Sequence, residues 1–289
     1  MQSNMITLER GTTRLRMMDP RAPEPYYRGT RFDRTGIILS LDTAGHRYVQ
    51  PWQRRYDPCS HDAVSGPAEE FLPVMRALSA GILKIGVGLL RDDGQPYDRF
   101  KLYEVLDPGR MTVTLGQSAG FQQSLNGHYD YIKTVELPAD GRLRIAHALT
   151  NRSALPLDTY VYCHNFFILD GAPTGRATRF EFPWRPIGDW RAPYDSVRLT
   201  ERGIAFERDL APDETVFMGN LRPTPQVRDG YRFTLRNEDN GLSVEAACDR
   251  PMEYAVFWSN ADVSCLEPYL PLHLDPGQTA RWTLDDRFR

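Results

Sequence analysis

The chain has 289 residues, of which 41% are hydrophobic and 25% charged, so it carries enough apolar material for an ordinary globular core. Its net charge of −3 gives no reason to expect nucleic acid or an anionic membrane surface as a partner. The four cysteines form no CxxC pair, which leaves zinc and redox motifs unsupported. Residues 1–24 have no signal-peptide pattern, and the longest apolar run is far shorter than the ~20 residues of a membrane-spanning helix. We therefore expect a cytoplasmic protein without a metal or cofactor.

The first quarter of the chain alternates strand patterns with irregular segments. A hairpin is predicted over residues 6–17, turned at Arg10-Gly11, and a further strand over 35–41. Residues 51–71, rich in proline, glycine and charged side chains, are predicted to form a loop. A loop of this length is uncommon inside a compact domain and is often functional.

Short strands bounded by turn sequences dominate the rest of the chain. They are predicted over residues 83–90, 100–106, 111–115, 121–125, 129–137, 142–150, 231–236, 242–247, 252–258 and 281–284. Residues 172–196 are rich in proline, glycine, arginine and tryptophan and are predicted to run over the surface. Residues 72–80 alone have a helical pattern. We therefore predict an all-β antiparallel sandwich or barrel with few short helices.

Residues 160–171 place a titratable histidine inside an apolar strand. His164 is surrounded by aromatic and apolar residues, and Asp170-Gly171 ends the strand as a turn. Burying an imidazole costs free energy unless its nitrogens find partners, so on local grounds a structural core histidine is the favoured interpretation. A functional role gains support from Glu267, a second charged residue at the end of another aromatic strand.

Aromatic side chains in predicted loops indicate a carbohydrate ligand. They are Tyr26, Tyr27, Trp52, Phe71, Trp184 and Trp190. Sugars are polar at their edges and apolar on their CH faces, so a sugar site combines aromatic platforms with bidentate polar groups. A packing role is the commoner one for any single aromatic residue, but their concentration in loops favours a carbohydrate cleft.

Three motifs in the second half of the chain resemble those of the aldose 1-epimerases, or galactose mutarotases. Residues 162–171 resemble the family's histidine-containing strand, and 265–271 are similar to its Glu-x-x-x-x-Pro motif. Residues 274–282 match its usual final Leu-x-Pro-Gly strand. The resemblance runs in order along the whole chain. It implies a single mutarotase-like, carbohydrate-active domain over residues 1–289, folded as one large antiparallel β supersandwich.

The resemblance also implies catalytic roles for two residues. His164 corresponds to the family's general acid on the ring oxygen, and Glu267 to its general base on the anomeric hydroxyl. An imidazole with a pKa of ~6.5 can give or take a proton at neutral pH, whereas a carboxylate near ~4.3 is a weak base unless desolvation raises its pKa. An aromatic wall is expected to supply that desolvation: Tyr254, Phe257, Trp258 and Tyr269. The charge on Glu267 is expected to hold His164 protonated.

The first half of the chain departs from the family pattern. The family's first-half histidine has two candidate counterparts, His61 and His128, and His128 is preferred because it follows a hairpin turn and precedes a tyrosine-rich strand. The family's basic motif is replaced by residues 28–34, in which Arg31 is the candidate clamp for hydroxyls or a carboxylate.

Two adjacent glutamates and a lysine complete the candidate residues. Glu69 and Glu70 would point to opposite faces of an extended chain, so only one of them can face a site. Lys84, inside an apolar run, needs a partner that either glutamate could provide. No spacing reaches a recognised metal-ligand motif. The predicted substrate-binding residues are Arg31, His128, Glu70, Lys84 and Asp170.

The sequence thus predicts a cofactor-free aldose 1-epimerase-like isomerase, a monomer or homodimer, that interconverts the anomers of a monosaccharide or modified sugar. Two alternatives stay open. The same His/Glu pair could catalyse an elimination or another isomerisation of a carbohydrate. The chain could instead be a non-catalytic sugar-binding or sensor protein on the same scaffold. A matched acid and base favours catalysis, because a binding protein has no need of both.

Overall fold

The computed structural model describes residues 5–53, 55–75 and 81–289, and their regular secondary structure consists almost entirely of antiparallel strands. The strands are β1 (Met5–Arg10), β2 (Thr13–Met18), β3 (Ile38–Thr43), β4 (His46–Val49), β5 (Gly66–Phe71), β6 (Val74–Met75), β7 (Gly81–Lys84), β8 (Gly88–Arg91), β9 (Val105–Asp107), β10 (Arg110–Leu115), β11 (Ser118–Leu125), β12 (Tyr129–Glu136), β13 (Arg142–Asn151), β14 (Leu157–Phe166), β15 (Thr178–Glu181), β16 (Arg185–Trp190), β17 (Val197–Thr200), β18 (Gly203–Phe206), β19 (Val216–Thr224), β20 (Tyr231–Asn237), β21 (Ser243–Cys248), β22 (Tyr254–Ser259), β23 (Ser264–Leu274) and β24 (Thr279–Phe288).

Helical structure within the described ranges is limited to one 3-10 turn, η1 (Leu169–Gly171). Accordingly, these residues contain no helix with the length and apolar character needed to cross a membrane. The all-β prediction is confirmed.

The described strands form four sheets. The largest has ten strands in the order β10-β11-β12-β13-β24-β21-β20-β15-β18-β17, and the second has six in the order β16-β19-β22-β23-β14-β5. Two four-stranded meanders, β1 to β4 and β6 to β9, complete the set. Because β14 and β23 lie side by side inside the six-stranded sheet, the strands that contain His164 and Glu267 are neighbours.

The main core lies between the two large sheets. Strands β11, β12 and β13 bury every second residue, which is the pattern of a sheet with one face on the core and one toward solvent. β14 is instead buried on both faces from Val161 to Phe166. Phe71 of the six-stranded sheet meets the rings of Tyr131 and Trp282 of the ten-stranded sheet at centroid distances of 5.2 and 6.1 Å. One face of the six-stranded sheet is therefore closed by the larger sheet.

The prediction of a loop over residues 51–71 is wrong at its end, where the chain forms β5. This strand lies at the edge of the six-stranded sheet, pairs with β14 and is buried at all six positions. Pro67 and the two glutamates disfavour a strand by intrinsic propensity, although an edge position tolerates proline. Buried ion pairs of Glu69 and Glu70, described below, stabilise the strand despite this.

Four other predicted segments differ from the structure. The single strand predicted over 83–90 is instead a hairpin, in which β7 and β8 are joined by a turn at residues 85–87. The strand predicted over 100–106 begins only at Val105; a turn and irregular chain precede it. The surface segment predicted over 172–196 contains β15 and β16. The helical pattern over 72–80 contains β6, and residues 76–80 lie outside the described residues.

Candidate active site

Alternate residues of four neighbouring strands line the second face of the six-stranded sheet. Successive side chains of a strand point to opposite faces, so positions two apart share a face. The set comprises Glu70 from β5, Tyr162, His164 and Phe166 from β14, Cys265, Glu267 and Tyr269 from β23, and Val256 and Trp258 from β22. The register brings Tyr162 opposite Tyr269 on one side and Glu70 on the other.

A cleft with a volume of about 420 Å³ opens onto this face. His164 and Glu267 line it, together with the aromatic rings of Trp52, Trp258 and Tyr269. The volume falls within the range of about 300–1,000 Å³ that is usual for small-molecule sites. Aromatic rings beside convergent polar groups are the combination that the sequence indicated for a sugar site.

The two predicted catalytic residues are in direct contact. Nε2 of His164 lies 3.1 Å from Oε1 of Glu267, and the two side chains are only 6% and 5% exposed. The sequence separates them by about a hundred residues, but adjacent strands of one sheet bring them together.

Cys265 contacts the other edge of the His164 ring. Its Sγ lies 2.6 Å from Nδ1, so both imidazole nitrogens have a partner. Burial raises the pKa of the Cys265 thiol well above its usual value, with the charge of Glu267 acting in the same direction. The thiol is therefore protonated. The sequence alone did not indicate this contact of Cys265 with the imidazole.

His164, Cys265 and Glu267 carry atoms that could ligate a metal ion, and these atoms lie within 4.8 Å of one another. The imidazole separates them, however, because the thiol is at Nδ1 and the carboxylate is at Nε2. The three donors do not converge on one point, as the ligands of a single ion must. The arrangement fits a hydrogen-bonded chain better than a metal site.

The environment of the pair favours its neutral forms. Burial lowers the pKa of His164 well below 6.5, and the nearby charges of Arg31 and Arg99 lower it further. Burial raises the pKa of Glu267 to about 7, although the same two arginines oppose this effect. The expected desolvation of Glu267 is therefore present. Glu267 was expected to hold His164 protonated, but burial and the two arginines lower the pKa of the imidazole instead.

Aromatic rings account for this desolvation. The His164 ring stacks on Phe166 with 3.7 Å between centroids, and Trp52 stacks on the same phenylalanine at 5.0 Å. Trp258 meets the imidazole edge-on at 6.2 Å. These rings exclude water from the imidazole, which disfavours its charged form.

The aromatic wall predicted from the sequence is present in part. Trp258 and Tyr269 line the cleft. Tyr254 is not a lining residue, but its ring stacks on that of Tyr269 with 4.6 Å between the ring centroids. Phe257 belongs to the main core, because it alternates with its two neighbours on β22.

Glu70 anchors the cationic side of the cleft from behind. Its carboxylate receives hydrogen bonds from Nε of Arg31 at 2.7 Å, from Nζ of Lys84 at 3.0 Å and from the hydroxyl of Tyr162. Burial alone would raise the pKa of Glu70, but Lys84, Arg31 and Arg99 outweigh it and lower the pKa to about 2. Burial lowers the pKa of Lys84 to about 8, against the attraction of Glu70. Arg31 lines the cleft, whereas Glu70 and Lys84 are fully buried behind it. Glu70 holds the Arg31 guanidinium in place through their ion pair.

Glu69 points to the opposite face of β5, as expected for adjacent residues of a strand. Its Oε2 lies 2.6 Å from Nζ of Lys133, which also contacts Asp33 at 3.1 Å. Tyr131 donates a hydrogen bond to Asp33, and its hydroxyl lies 2.9 Å from Nδ1 of His147. This second buried network joins the two large sheets and does not line the cleft.

Comparison with known proteins adds to this geometry. No protein-family model matches the sequence, and no curated protein is significantly similar to it. Solved structures do match. A protein from Synechocystis sp. superposes with a TM-score of 0.64 at 13% identity, covering 98% of this chain and 95% of that one. A galactose mutarotase related enzyme from Lactobacillus acidophilus gives 0.56 at 13% identity, with 99% and 97% covered. A GalM/aldose epimerase homologue from C. elegans gives 0.56 at 13% identity, with 99% and 98% covered.

The chain has the galactose mutarotase-like fold. The second-half motifs predicted this fold, and the prediction is confirmed along nearly the whole chain.

Two of the predicted substrate-binding residues lie away from the cleft of this mutarotase-like fold. His128 is in the turn between β11 and β12 of the ten-stranded sheet, where its backbone bonds to Leu125 and Arg152. Asp170 is in η1, where its carboxylate contacts Nδ1 of His46 at 2.8 Å. The preference for His128 over His61 needs correction, since His61 lines the cleft.

Two arginines of the cleft were not singled out from the sequence. Arg99 comes from the turns before β9, and its Nη1 lies 3.4 Å from the Tyr162 hydroxyl. Arg191 follows β16, and its guanidinium carbon lies 3.9 Å from the ring centroid of Phe217. Each is adjacent in sequence to an aromatic residue, in Arg99-Phe100 and Trp190-Arg191. An arginine next to an aromatic residue could have indicated a sugar site at both positions. The surrounding segments were instead interpreted as a strand and as a segment running over the surface.

Proposed function

We propose that the protein is an acid/base isomerase that interconverts the anomers of a sugar, in the manner of an aldose 1-epimerase. The observation that supports this most is the buried contact of 3.1 Å between His164 and Glu267 inside a cleft of monosaccharide size. Opening a hemiacetal requires one group to take the proton of the anomeric hydroxyl and another to protonate the ring oxygen. Ring closure reverses both transfers, so a matched acid and base are sufficient.

The pair carries one exchangeable proton at neutral pH. The imidazole of His164 is neutral because burial lowers its pKa, and the pKa of the Glu267 carboxyl is about 7, so the proton lies on Glu267 in the form of the pair that holds it. A bound sugar replaces their direct hydrogen bond, each group then contacting one substrate oxygen. One group gives its proton to the ring oxygen while the other takes a proton from the hydroxyl at C1. The pair ends with the number of protons it started with, ready for closure on either face after rotation about C1–C2.

The remaining cleft residues suit substrate positioning. Trp52, Trp258 and Tyr269 offer apolar surfaces for the CH faces of the ring. Arg31, fixed by Glu70, presents donors for hydroxyl oxygens. The same proposal treats residues 1–289 as one carbohydrate-active domain.

Anomer exchange followed by NMR tests the proposal. Single anomers of several sugars are dissolved with and without the protein, and the decay of the anomeric proton signal is measured. We expect faster exchange with the wild-type chain, and a loss of roughly 10²–10⁴-fold in His164→Ala and in Glu267→Gln. His128→Ala and Glu104→Gln serve as matched controls, since the structure has both residues outside the cleft, and they should retain the wild-type rate.

Other results would refute the proposal in distinct ways. Exchange that persists in both cleft variants would mean that the pair is not the acid and base. A new unsaturated product would indicate an elimination. Ligand-induced shifts without exchange across the whole sugar panel would leave a binding protein.

A further inference from the structure

The cleft carries more positive charge than its own acids balance. Three guanidinium groups line it, those of Arg31, Arg99 and Arg191. The carboxylates among its described lining residues are those of Asp62 and Glu267. With a pKa of about 7, Glu267 is only partly ionised at neutral pH. The described lining therefore has an excess of cationic charge.

The residues behind the cleft do not remove this excess. Glu70 is the carboxylate nearest to Arg31, but it also pairs with Lys84 at 3.0 Å and approaches Nη1 of Arg99 at 3.9 Å. One carboxylate is thus shared by three cations. Lys84 can lose its proton, since burial lowers its pKa to about 8, but a guanidinium group stays charged. Arg31 is buried, whereas Arg99 is half-buried and Arg191 is exposed, so the donors of the last two remain accessible to a ligand from solvent.

Arg191 is the cleft cation with the fewest internal restraints. Its guanidinium lies over the face of Phe217, 3.9 Å from the centroid, and the described residues offer it no ion pair. A cation–π contact orients the guanidinium plane but leaves its in-plane donors available. Arg99 is similarly incomplete, because its closest carboxylate contact is the 3.9 Å approach to Glu70.

We propose that the sugar bound in this cleft bears an anionic group, a carboxylate or a phosphate ester, held by Arg99 and Arg191 while Arg31 stays paired with Glu70. Guanidinium groups match the oxygens of both anions in bidentate geometry. The inference rests on the proposed function, since it assigns a substrate class to the same cleft. The anion also offsets the charge of Arg99, which lowers the pKa of His164, so its binding moves the shared proton toward the imidazole.

Calorimetric titration of the full chain tests this without requiring turnover. The probes are the neutral hexose, the hexuronate and the hexose 6-phosphate of both the gluco and the galacto series. At low ionic strength we expect one anionic class to bind at least about tenfold more tightly than the neutral sugar of the same series, and we expect added salt to reduce that ratio. Arg191→Ala and Arg99→Gln should each reduce the ratio to about threefold or less. Arg185→Ala should retain it, because that arginine is exposed on β16 and outside the cleft.

The pattern of results identifies the anion or overturns the inference. Preference for the hexuronate indicates a carboxylate, and preference for the hexose phosphate indicates a phosphate ester. Equal affinities for charged and neutral sugars, no binding of any anionic probe, or a preference unchanged in both arginine variants would overturn it. So would inorganic phosphate binding as tightly as the sugar phosphate. Anionic preference without faster anomer exchange would refute the proposed function alone.

Discussion

His164 and Glu267 contact each other across 3.1 Å, so they titrate as one unit. The catalytically competent form in the proposed mechanism is the one that holds a single proton. Above pH 7 the pair loses that proton, because the pKa of Glu267 is about 7. The second proton is added only well below pH 6.5, because burial and two arginines depress the pKa of His164.

The first prediction concerns the pH profile that follows from this titration. We expect kcat/KM for anomer exchange to decline as the pH rises above about 7, with no acid limb near the ordinary histidine pKa. Rates measured between about pH 5 and 9, with circular dichroism to check folding, provide the test. A rate that instead climbs through pH 7 would mean that an ionised Glu267 acts alone as the base.

The second prediction concerns the counterion of Arg31. Glu70→Gln keeps the shape of the side chain but leaves Arg31 and Lys84 buried without their anion. Removing one partner of a buried ion pair typically costs about 3–5 kcal/mol, so we expect a loss of that order in the free energy of unfolding. Glu104→Gln is the control, because Glu104 pairs with Arg91 at the exposed surface and its loss should change nothing measurable.

The effect of Glu70→Gln should also depend on pH. The folded-state pKa of Glu70 is lowered from 4.5 to about 2. A carboxylate of this kind stabilises the fold fully above its unfolded pKa, and the contribution is lost as the pH falls through the folded value. Chemical denaturation at several pH values should therefore show that the difference in free energy of unfolding between wild type and Glu70→Gln is largest near neutral pH and decreases in acid. A difference that is constant with pH would mean that the charge of Glu70 is not its cause.

At the scale of elements, β5 connects the cleft with the core. Glu70 faces the cleft side, and Glu69 faces Lys133 on β12 of the ten-stranded sheet. Burial would lower the pKa of Lys133, but Asp33 and Glu69 outweigh it and raise the pKa. The lysine is therefore charged and acts as a cation between two carboxylates.

The third prediction removes that cation. Lys133→Met leaves Asp33 and Glu69 facing each other in the core, so we expect unfolding to become easier by about 3–5 kcal/mol in chemical denaturation. Lys101→Met is the control, since Lys101 pairs with Asp93 at the surface. Equal stability of the two variants would show that the buried ion pairs of Lys133 contribute nothing to folding.

Local sequence predicted some elements and not others for a physical reason. The strands between residues 111 and 150 were identified because apolar alternation and glycine turns are local signals. β5 was not, because Pro67 and two adjacent glutamates oppose a strand locally. What stabilises it are partners such as Lys84 and Lys133, whose positions depend on the completed fold.

The same limit applies to the cleft at the scale of the whole molecule. The pair His164 and Glu267 was identified because each belongs to a strand motif of the second half of the chain. Arg99 and Arg191 were missed because they lie in segments that connect strands. Such segments have no periodic sequence pattern, so the sequence does not predict which face of a sheet they cover. The fold and the contact between His164 and Glu267 were therefore predictable, and the arginines that line the rest of the cleft were not.

The fourth prediction concerns stability across the molecule. Strands β13, β14, β23 and β24 are paired on both sides within the two large sheets, whereas β10 and β17 lie at the edges of the ten-stranded sheet. Local opening is cheapest where few strands and few buried contacts hold the backbone. Hydrogen exchange read by mass spectrometry should be slowest in the four central strands and fastest in the two edge strands. Exchange in β14 as fast as in β10 would mean that the sheet face under the cleft opens independently of the core.

The aromatic lining gives the cleft an optical property of its own. Two of the five tryptophans, Trp52 and Trp258, line the cleft, and their ring centroids are 5.8 Å apart. The Trp258 ring also lies 6.2 Å from the imidazole of His164. The other three, Trp184, Trp190 and Trp282, are not among the lining residues. Indole emission depends on the polarity around the ring, so a ligand that displaces water from the cleft should shift the emission of these two alone. With the other three replaced by phenylalanine, the chain becomes an unlabelled fluorescent sensor of its own occupancy.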